Sequence, residues 1–390
     1  MNFMDRTQQQ EVPQEPVFVE DEWPSEDLEI LASCPVCGAD GGKALYEGLT
    51  DRVWRCAPGT WTLWECSHCG SAYLRSRPKP ESIHRAYSNY YTHGAIFDPA
   101  VEYPANRLGK IRRALRNGYL NARYGADFRP ASPLGPFVMP LLPRVRARAD
   151  RWVRHLRRPR PSSGRINNPT ASPPRLLDVG CGNGAFLKTA QTLGWSVQGI
   201  EPDPAAVETA RRAGLPVEQG LLVENTFAGR GEEETAFEAI TLNHVLEHLH
   251  DPMRTLRLCY DLLRPGGVLW MATPNLASLG HRRYGPCWLH LDPPRHLVLF
   301  TPRSLKESLS RVGYVVSGPL RNAGGPGGAD LSFNCSARIA AGQSVTGPDA
   351  AAFAAPPDVH RIARAAENVS WHRPELAEEI ILAARKPLAE

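Results

Sequence analysis

Two cysteine pairs, Cys34-Pro35-Val36-Cys37-Gly38 and Cys66-Ser67-His68-Cys69-Gly70, are separated by 28 residues. In each, the C-x-x-C-G spacing brings two sulfurs together while glycine takes the tight turn behind them. Two such knuckles supply four thiolates to one tetrahedral metal ion. With every position filled by sulfur, the spacing points to structural zinc on Cys34, Cys37, Cys66 and Cys69. The gap exceeds the common spacing of roughly 15 to 20 residues. A β-hairpin between the knuckles accommodates it, and TWTLWEC alternates as a hairpin strand should. Cys56 and His68 are spare ligands in this reading.

A second chemistry lies further along the chain. The run Arg175–Val179 leads into Gly180-Cys181-Gly182-Asn183-Gly184 and then into a helical pattern. Glycines there let the backbone approach a ligand, and a helix N-terminus offers free N–H groups to an anionic group. Asp178 ends this strand, at the crevice where open sheets bind ligands. Glu201 ends the next one, 21 residues after Gly180, where a carboxylate can accept both hydroxyls of a ribose. Ala185 stands where a dinucleotide fingerprint carries its third glycine or an alanine, so spacing alone leaves a nicotinamide cofactor open.

Elements that position these residues are legible from periodicity. Short runs, apolar on both faces (RLLDVGCG, WSVQGIEP, PVEQG, FEAITLN and GGVLWMATP), alternate with helical stretches such as DPAAVETARRAG and DPMRTLRLCYDLLRPGG. That alternation predicts an α/β fold with a doubly wound, mostly parallel sheet covered by helices on both sides. YVVSGPL and EEIILAARK are expected to close it as an antiparallel pair. The chain divides into an acidic flexible tail (1–30), a zinc-ribbon module (31–78), and a Tyr-rich then Arg-rich helical connector or lid (79–172). The sheet domain follows (173–390), with a Gly/Ala-rich insertion at 321–356.

The ordered motifs LDVGCGNG, GIEPDP, NHVLEHLHDP, LLRPGGVLWMATPN and PRHLVLFTPRSL resemble those of class I S-adenosylmethionine-dependent methyltransferases. The nearest resemblance is to the ubiquinone-pathway O-methyltransferases and the methyltransferases of bacterial sugar and surface-polysaccharide clusters. The latter often carry an N-terminal zinc module followed by a PRP-type turn and a Tyr-rich stretch, matched here by Arg77-Pro78 and Ala86–Tyr91. The resemblance covers residues 173–320 and, more weakly, the last strand. It implies a seven-stranded sheet and S-adenosylmethionine at the carboxyl ends of the first strands. Gly180 and Gly182 would face the methionine end, Glu201 would hold the ribose, Leu221 and Leu222 would flank the adenine, and Asn243 would line the methyl-donor side. An acidic residue is commoner in the family at position 221.

A hydroxyl acceptor benefits from a general base. His244, His248 and His296 are the candidates; helical spacing places the first two on one face, with His248 read as a structural hydrogen-bonder. His296 lies in Asp292-Pro293-Pro294-Arg295-His296, after the fifth strand, where the acceptor should sit, and Arg295 is a candidate partner for an acceptor phosphate. The favoured acceptor is a sugar or lipid-linked sugar. An RNA methyltransferase using zinc module and arginines is the rival, although the Asn/Asp-Pro-Pro-aromatic signature of base-amine methylation is absent after the fourth strand. A non-catalytic zinc-ribbon scaffold is the rival of another class.

Composition narrows the setting. At 42% apolar and 22% charged, the 390 residues are globular, and no apolar run reaches the roughly 18 residues of a membrane span. Nine cysteines, an odd number containing two C-x-x-C pairs, suit a reducing cytoplasm. Of 45 basic residues only six are lysine, a bias that base composition explains. Their clustering is different: residues 105–165 hold sixteen Lys or Arg against two Asp, a net of +14. Beside the arginines lie the apolar PLGPFVMPLLP and a partial stripe of Val145, Trp152, Val153 and Leu156. Residues 136–160 are therefore expected either to pack on the sheet domain or to touch an anionic membrane surface, in preference to nucleic acid.

Overall fold

The computed structural model describes residues 22–87, 106–156, 172–231, 235–321, 328–345 and 357–388. The N-terminal part is built from five short strands: β1 (Leu28–Ile30), β2 (Gly42–Leu49), β3 (Trp61–Cys66), β4 (Ala72–Leu74) and β5 (Ser76–Pro78). β2, β3 and β4 form an antiparallel meander, and β1 pairs with β5. The acidic tail is therefore shorter than expected. Trp23 is buried edge-on against Trp61, 5.6 Å between ring centroids, because its apolar surface outweighs the acids around it.

The second part carries β6 (Arg175–Val179), β7 (Ser196–Glu201), β8 (Val217–Gln219), β9 (Phe237–Asn243) and β10 (Leu263–Pro274), followed by β11 (Val298–Leu299), β12 (Val315–Val316) and β13 (Glu379–Arg385). Seven of these form one sheet in the order β12-β13-β10-β9-β6-β7-β8. β8, β7, β6, β9 and β10 run parallel, and β13 lies antiparallel between β10 and β12, as the sequence implied. Leu176, Leu177, Ile240, Leu242 and Leu269 are fully buried, consistent with helices on both faces. Asp203, Asp251 and Thr301 cap three of those helices with proline at the first helical position, each cap worth about 1 kcal/mol. The Gly/Ala-rich insertion holds a helix, Ala329–Ala340, and the expected polar helix runs Pro357–His372.

The Arg-rich connector packs onto this sheet. Its helix Arg107–Tyr124 aligns Tyr119 and Tyr124 so that both hydroxyls donate to buried Asp150, at 2.9 Å and 2.7 Å. Trp152 meets Trp270 of β10 at 5.7 Å, while Val153 and Leu156 are buried in the core. The part of the linker at 157–171 and the Tyr-rich residues 88–91 lie outside the described residues.

The zinc-ribbon segment is not a self-contained module. β11, from the sheet domain, pairs with β4, giving a four-stranded sheet β11-β4-β3-β2 that crosses the expected boundary. Trp61 and Leu63 share one hydrophobic core with Leu177 and Leu242. Between the two parts lies Arg295, whose relative exposure is 0%. It grips Asp292 in its own loop at 2.7–3.2 Å and Asp51 of the β2–β3 connection with both terminal nitrogens, and it donates to the Ala86 carbonyl at 2.8 Å. Asp51 in turn accepts from the amides of Trp54, Cys56 and Ala57. The expectation that Arg295 reaches an acceptor phosphate is thus overturned, because its donors are directed at these protein acceptors in a dry interior. Asp51→Asn removes one of the two charges that balance this guanidinium and is expected to lower the unfolding free energy by about 3 to 5 kcal/mol. Urea titration of the two proteins measures it, and a loss below about 1 kcal/mol would exclude Asp51 as an essential counter-charge.

Candidate functional site

The four cysteines meet as their spacing required. Gly38 N–H donates to the Cys34 carbonyl and Gly70 N–H to the Cys66 carbonyl, at 2.8 Å and 3.0 Å, with φ of +72° and +73° at the two glycines. Two like-shaped turns therefore present two sulfurs each. Cys34 Sγ lies 3.8 Å from Cys69 Sγ, and Cys37 Sγ lies 3.6 Å from Cys66 Sγ. A tetrahedron with Zn–S bonds of about 2.3 Å has edges of about 3.8 Å, so the residues fit a structural zinc ion with no open position. Cys56 stands apart, donating to the Ala86 carbonyl.

The glycine loop joins β6 to the helix Ala185–Thr192. Gly180 has φ of +70°, and a Cβ there would come within 2.4 Å of the Val245 side chain, so only glycine lets the loop close over this residue. Glu201 reaches across from β7: its carboxylate accepts from Gly182 N–H at 2.8 Å and from Asp203 N–H at 3.0 Å. Burial raises its pKa, against the pull of those two amides. Each oxygen keeps a second lone pair for a hydroxyl donor. Asp178 lies beneath the loop, bonded sideways to the Thr241 hydroxyl, and burial pushes its pKa up to about 7. Asn243 Oδ1, at the end of β9, is buried with no partner among the described residues, an acceptor of the kind that a bound ligand satisfies. The expected adenine pair divides: Leu221 is exposed beside the crevice, whereas Leu222 turns into the core. Gly180, Gly182, Glu201 and Asn243 together fit S-adenosylmethionine.

Beyond Asn243 the chain turns sharply. His244 has φ of +53°, a left-handed conformation costing about 1 to 3 kcal/mol for such a residue. It precedes a short 3-10 turn, Leu246–His248, so His244 and His248 do not share a helix face as expected. His244 is clamped instead: Nδ1 bonds Glu247 at 3.1 Å and Nε2 bonds Glu379 of β13 at 3.0 Å. Glu247 also accepts from the Thr273 hydroxyl at 2.9 Å, and Glu379 is ion-paired with buried Arg151 of the connector. Burial opposes charge on His244, but the two carboxylates overcome it and hold its pKa near 10. It is a cation at neutral pH, not the reserve base expected of it.

His248 and His296 are held differently. His248 Nδ1 lies 3.1 Å from the Arg295 carbonyl and 3.1 Å from the Tyr87 hydroxyl, and burial lowers its pKa to about 4. His296 Nδ1 lies 2.8 Å from the His290 carbonyl. A carbonyl only accepts, so each Nδ1 carries a proton, and Nε2 is the nitrogen left to hold the lone pair of a neutral ring. The two rings meet edge-to-face at 4.7 Å. A Glu247 oxygen and one nitrogen of each ring lie within 4.8 Å of one another, a grouping that its hydrogen bonds to His244, Thr273 and the two carbonyls account for. Sequence reasoning missed Glu247, Glu379 and Arg151. Glu247 was visible within NHVLEHLHDP, whereas the other two come from opposite ends of the sheet domain and connector and carry no local signal.

Two outcomes follow from this geometry. Purified protein is expected to contain one zinc per chain, and Cys37→Ser or a chelator to destabilise both parts in one transition, since they share a core; metal analysis without zinc would refute the centre. The His244 clamp titrates with a definite sign. Its folded pKa near 10 exceeds the unfolded value of about 6.5, so its contribution is complete below the latter and is lost as pH rises through the former. Unfolding free energy is expected to fall across that alkaline window, and to fall less in His244→Gln; an identical slope in denaturant titrations of the two proteins would count against the clamp.

Known proteins resemble the second part of the chain. Residues 144–317 match the sequence profile of a methyltransferase-domain family. A ubiquinone biosynthesis O-methyltransferase of Xanthomonas campestris pv. campestris (strain B100) is 37% identical over 103 residues, covering 26% of this chain and 43% of that protein. Its namesake in Xanthomonas oryzae pv. oryzae (strain PXO99A) is 38% identical over the same shares. The chain thus spans less than half the length of these relatives. Among solved structures, an S-adenosylmethionine-dependent methyltransferase from Mesorhizobium loti is 15% identical with a TM-score of 0.35, over 55% of this chain and 91% of that one. An amino pentose methyltransferase from Micromonospora echinaspora is 34% identical with a TM-score of 0.22, over 27% of this chain and 43% of that one. With its reversed strand β13 and its glycine loop, the second part of the chain has the class I methyltransferase fold, and residues 144–317 match a methyltransferase domain.

Proposed function

We propose that the protein transfers a methyl group from S-adenosylmethionine to a hydroxyl oxygen of a small molecule, a sugar or lipid-linked sugar. The observation that carries the reading is the pinning of His296. Its Nδ1–H is held by the His290 carbonyl, which presents Nε2 as the proton acceptor that a hydroxyl requires and an amine does not. When bound, the cofactor supplies a sulfonium methyl that is already electrophilic. The chain's own task is then to hold the acceptor in line and take its proton, and positioning alone can supply several kcal/mol. His244, a fixed cation beside Asn243, helps to balance the charge of Glu247 and Glu379. The hydroxyl rests on that imidazole; the sugar rests on the resemblance of the motifs and zinc ribbon to the sugar-cluster enzymes.

Paired variants test the assignment. Glu201→Ala removes a charged acceptor, whose hydrogen bonds are worth about 1.5 to 3 kcal/mol each, and is expected to weaken S-adenosylmethionine binding at least tenfold by calorimetry. His296→Ala is expected to leave that affinity unchanged and to lower kcat about 10²-fold toward a hydroxyl acceptor found with labelled S-adenosylmethionine. Preferential binding of a nicotinamide dinucleotide would sink the cofactor site. Full kcat of His296→Ala at all pH values would sink the base.

A further inference from the structure

The connector presents a surface that the proposed chemistry does not use. Among the described residues, half of the large apolar side chains left exposed, seven of fourteen, lie between Leu108 and Val145. Leu134, Phe137, Leu141, Leu142 and Val145 project from three successive short helical turns, with Phe137 75% and Leu141 79% exposed. Leu108 and Ile111 extend the face along the longer helix, whose next turns at Leu115 and Tyr119 pack against Gly135. Charge accompanies this face: residues 107–148 hold ten Lys or Arg and one acid, Asp127. The segment expected to touch a membrane is thereby shifted, since Trp152, Val153 and Leu156 turn inward to the sheet.

We propose that this face, residues 108–145, docks on an anionic bilayer, with Phe137, Leu141 and their neighbours entering the acyl boundary and the surrounding bases meeting lipid phosphates. Exposed aliphatic side chains flanked by arginine and lysine match that interface in both of its components. Two copies of the face would bring like charge against like charge. Nucleic acid would meet the bases but leave aliphatic side chains in water, where single strands are held on aromatic platforms. The proposal does not depend on the acceptor being lipid-linked, because it is read by binding alone.

Co-sedimentation of the full chain with phosphatidylcholine vesicles, with and without phosphatidylglycerol, tests it. Binding is expected only with the anionic lipid, weakening as salt rises, and at least tenfold weaker for Phe137→Ser/Leu141→Ser. Both side chains are exposed, so the variant's melting transition and S-adenosylmethionine affinity should be unchanged. Equal binding by variant and parent would overturn the proposal, as would equal binding to neutral vesicles. A dimer seen by light scattering and lost in the variant, without vesicle binding, would assign the face to a second copy. A single-stranded RNA oligonucleotide that binds the parent where vesicles do not would assign it to nucleic acid.

Discussion

A guanidinium sealed from water must be neutralised by the protein around it, and Arg295 draws its two carboxylates from distant parts of the chain. Asp292 is three residues away and Asp51 is 244. The ring of contacts closes only when the β2–β3 connection is seated on the loop after β10. That connection is held by the two strands that carry the knuckles, so the zinc site, Asp51 and Arg295 form one continuous support. The Arg295 carbonyl then fixes His248, and the next residue is His296. A zinc ion held by the four cysteines would thus bear on the loop that carries Arg295 and His296.

A second balance sets the protonation states nearby. Along the path Glu247, His244, Glu379, Arg151, negative and positive groups alternate, and the sum is neutral only with His244 protonated. Removing that proton would leave two buried carboxylates facing one guanidinium. Among the described residues His248 and His290 have no such counter-charge in hydrogen-bond contact, and burial lowers the pKa of both to about 4. Environments that push neighbouring groups in opposite directions are how a site divides fixed charge from proton acceptance.

The parallel sheet was legible because strands buried on both faces leave short apolar runs, each ended by a loop whose glycine or carboxylate is conspicuous. The zinc centre was legible because four sulfurs at knuckle spacing have few other uses. Arg295 was misread for a physical reason. An arginine beside a histidine in a proline-rich loop looks solvent-facing until the fold brings Asp51 to it. Trp23 was hidden by nine acids in thirty residues, although one indole buried on another outweighs their preference for water. Two-residue β11 has no period to detect, yet it is the strand that joins the two parts.

The excess of arginine over lysine has structural consequences whatever its origin. At Arg295 five N–H groups are held in a rigid plane, and this plane satisfies two carboxylates and a carbonyl together. A lysine ammonium has three donors on a flexible stem, is more strongly hydrated, and loses its proton more readily when buried. The same reasoning applies to Arg151 against Glu379 and to Arg77, which is buried and bonded to Glu29 at 2.7 Å. At these three positions a buried guanidinium charge is paired with a carboxylate, and at each the pair bridges segments far apart in sequence. In the core, one residue type therefore serves as an internal tie wherever the fold delivers a carboxylate to it.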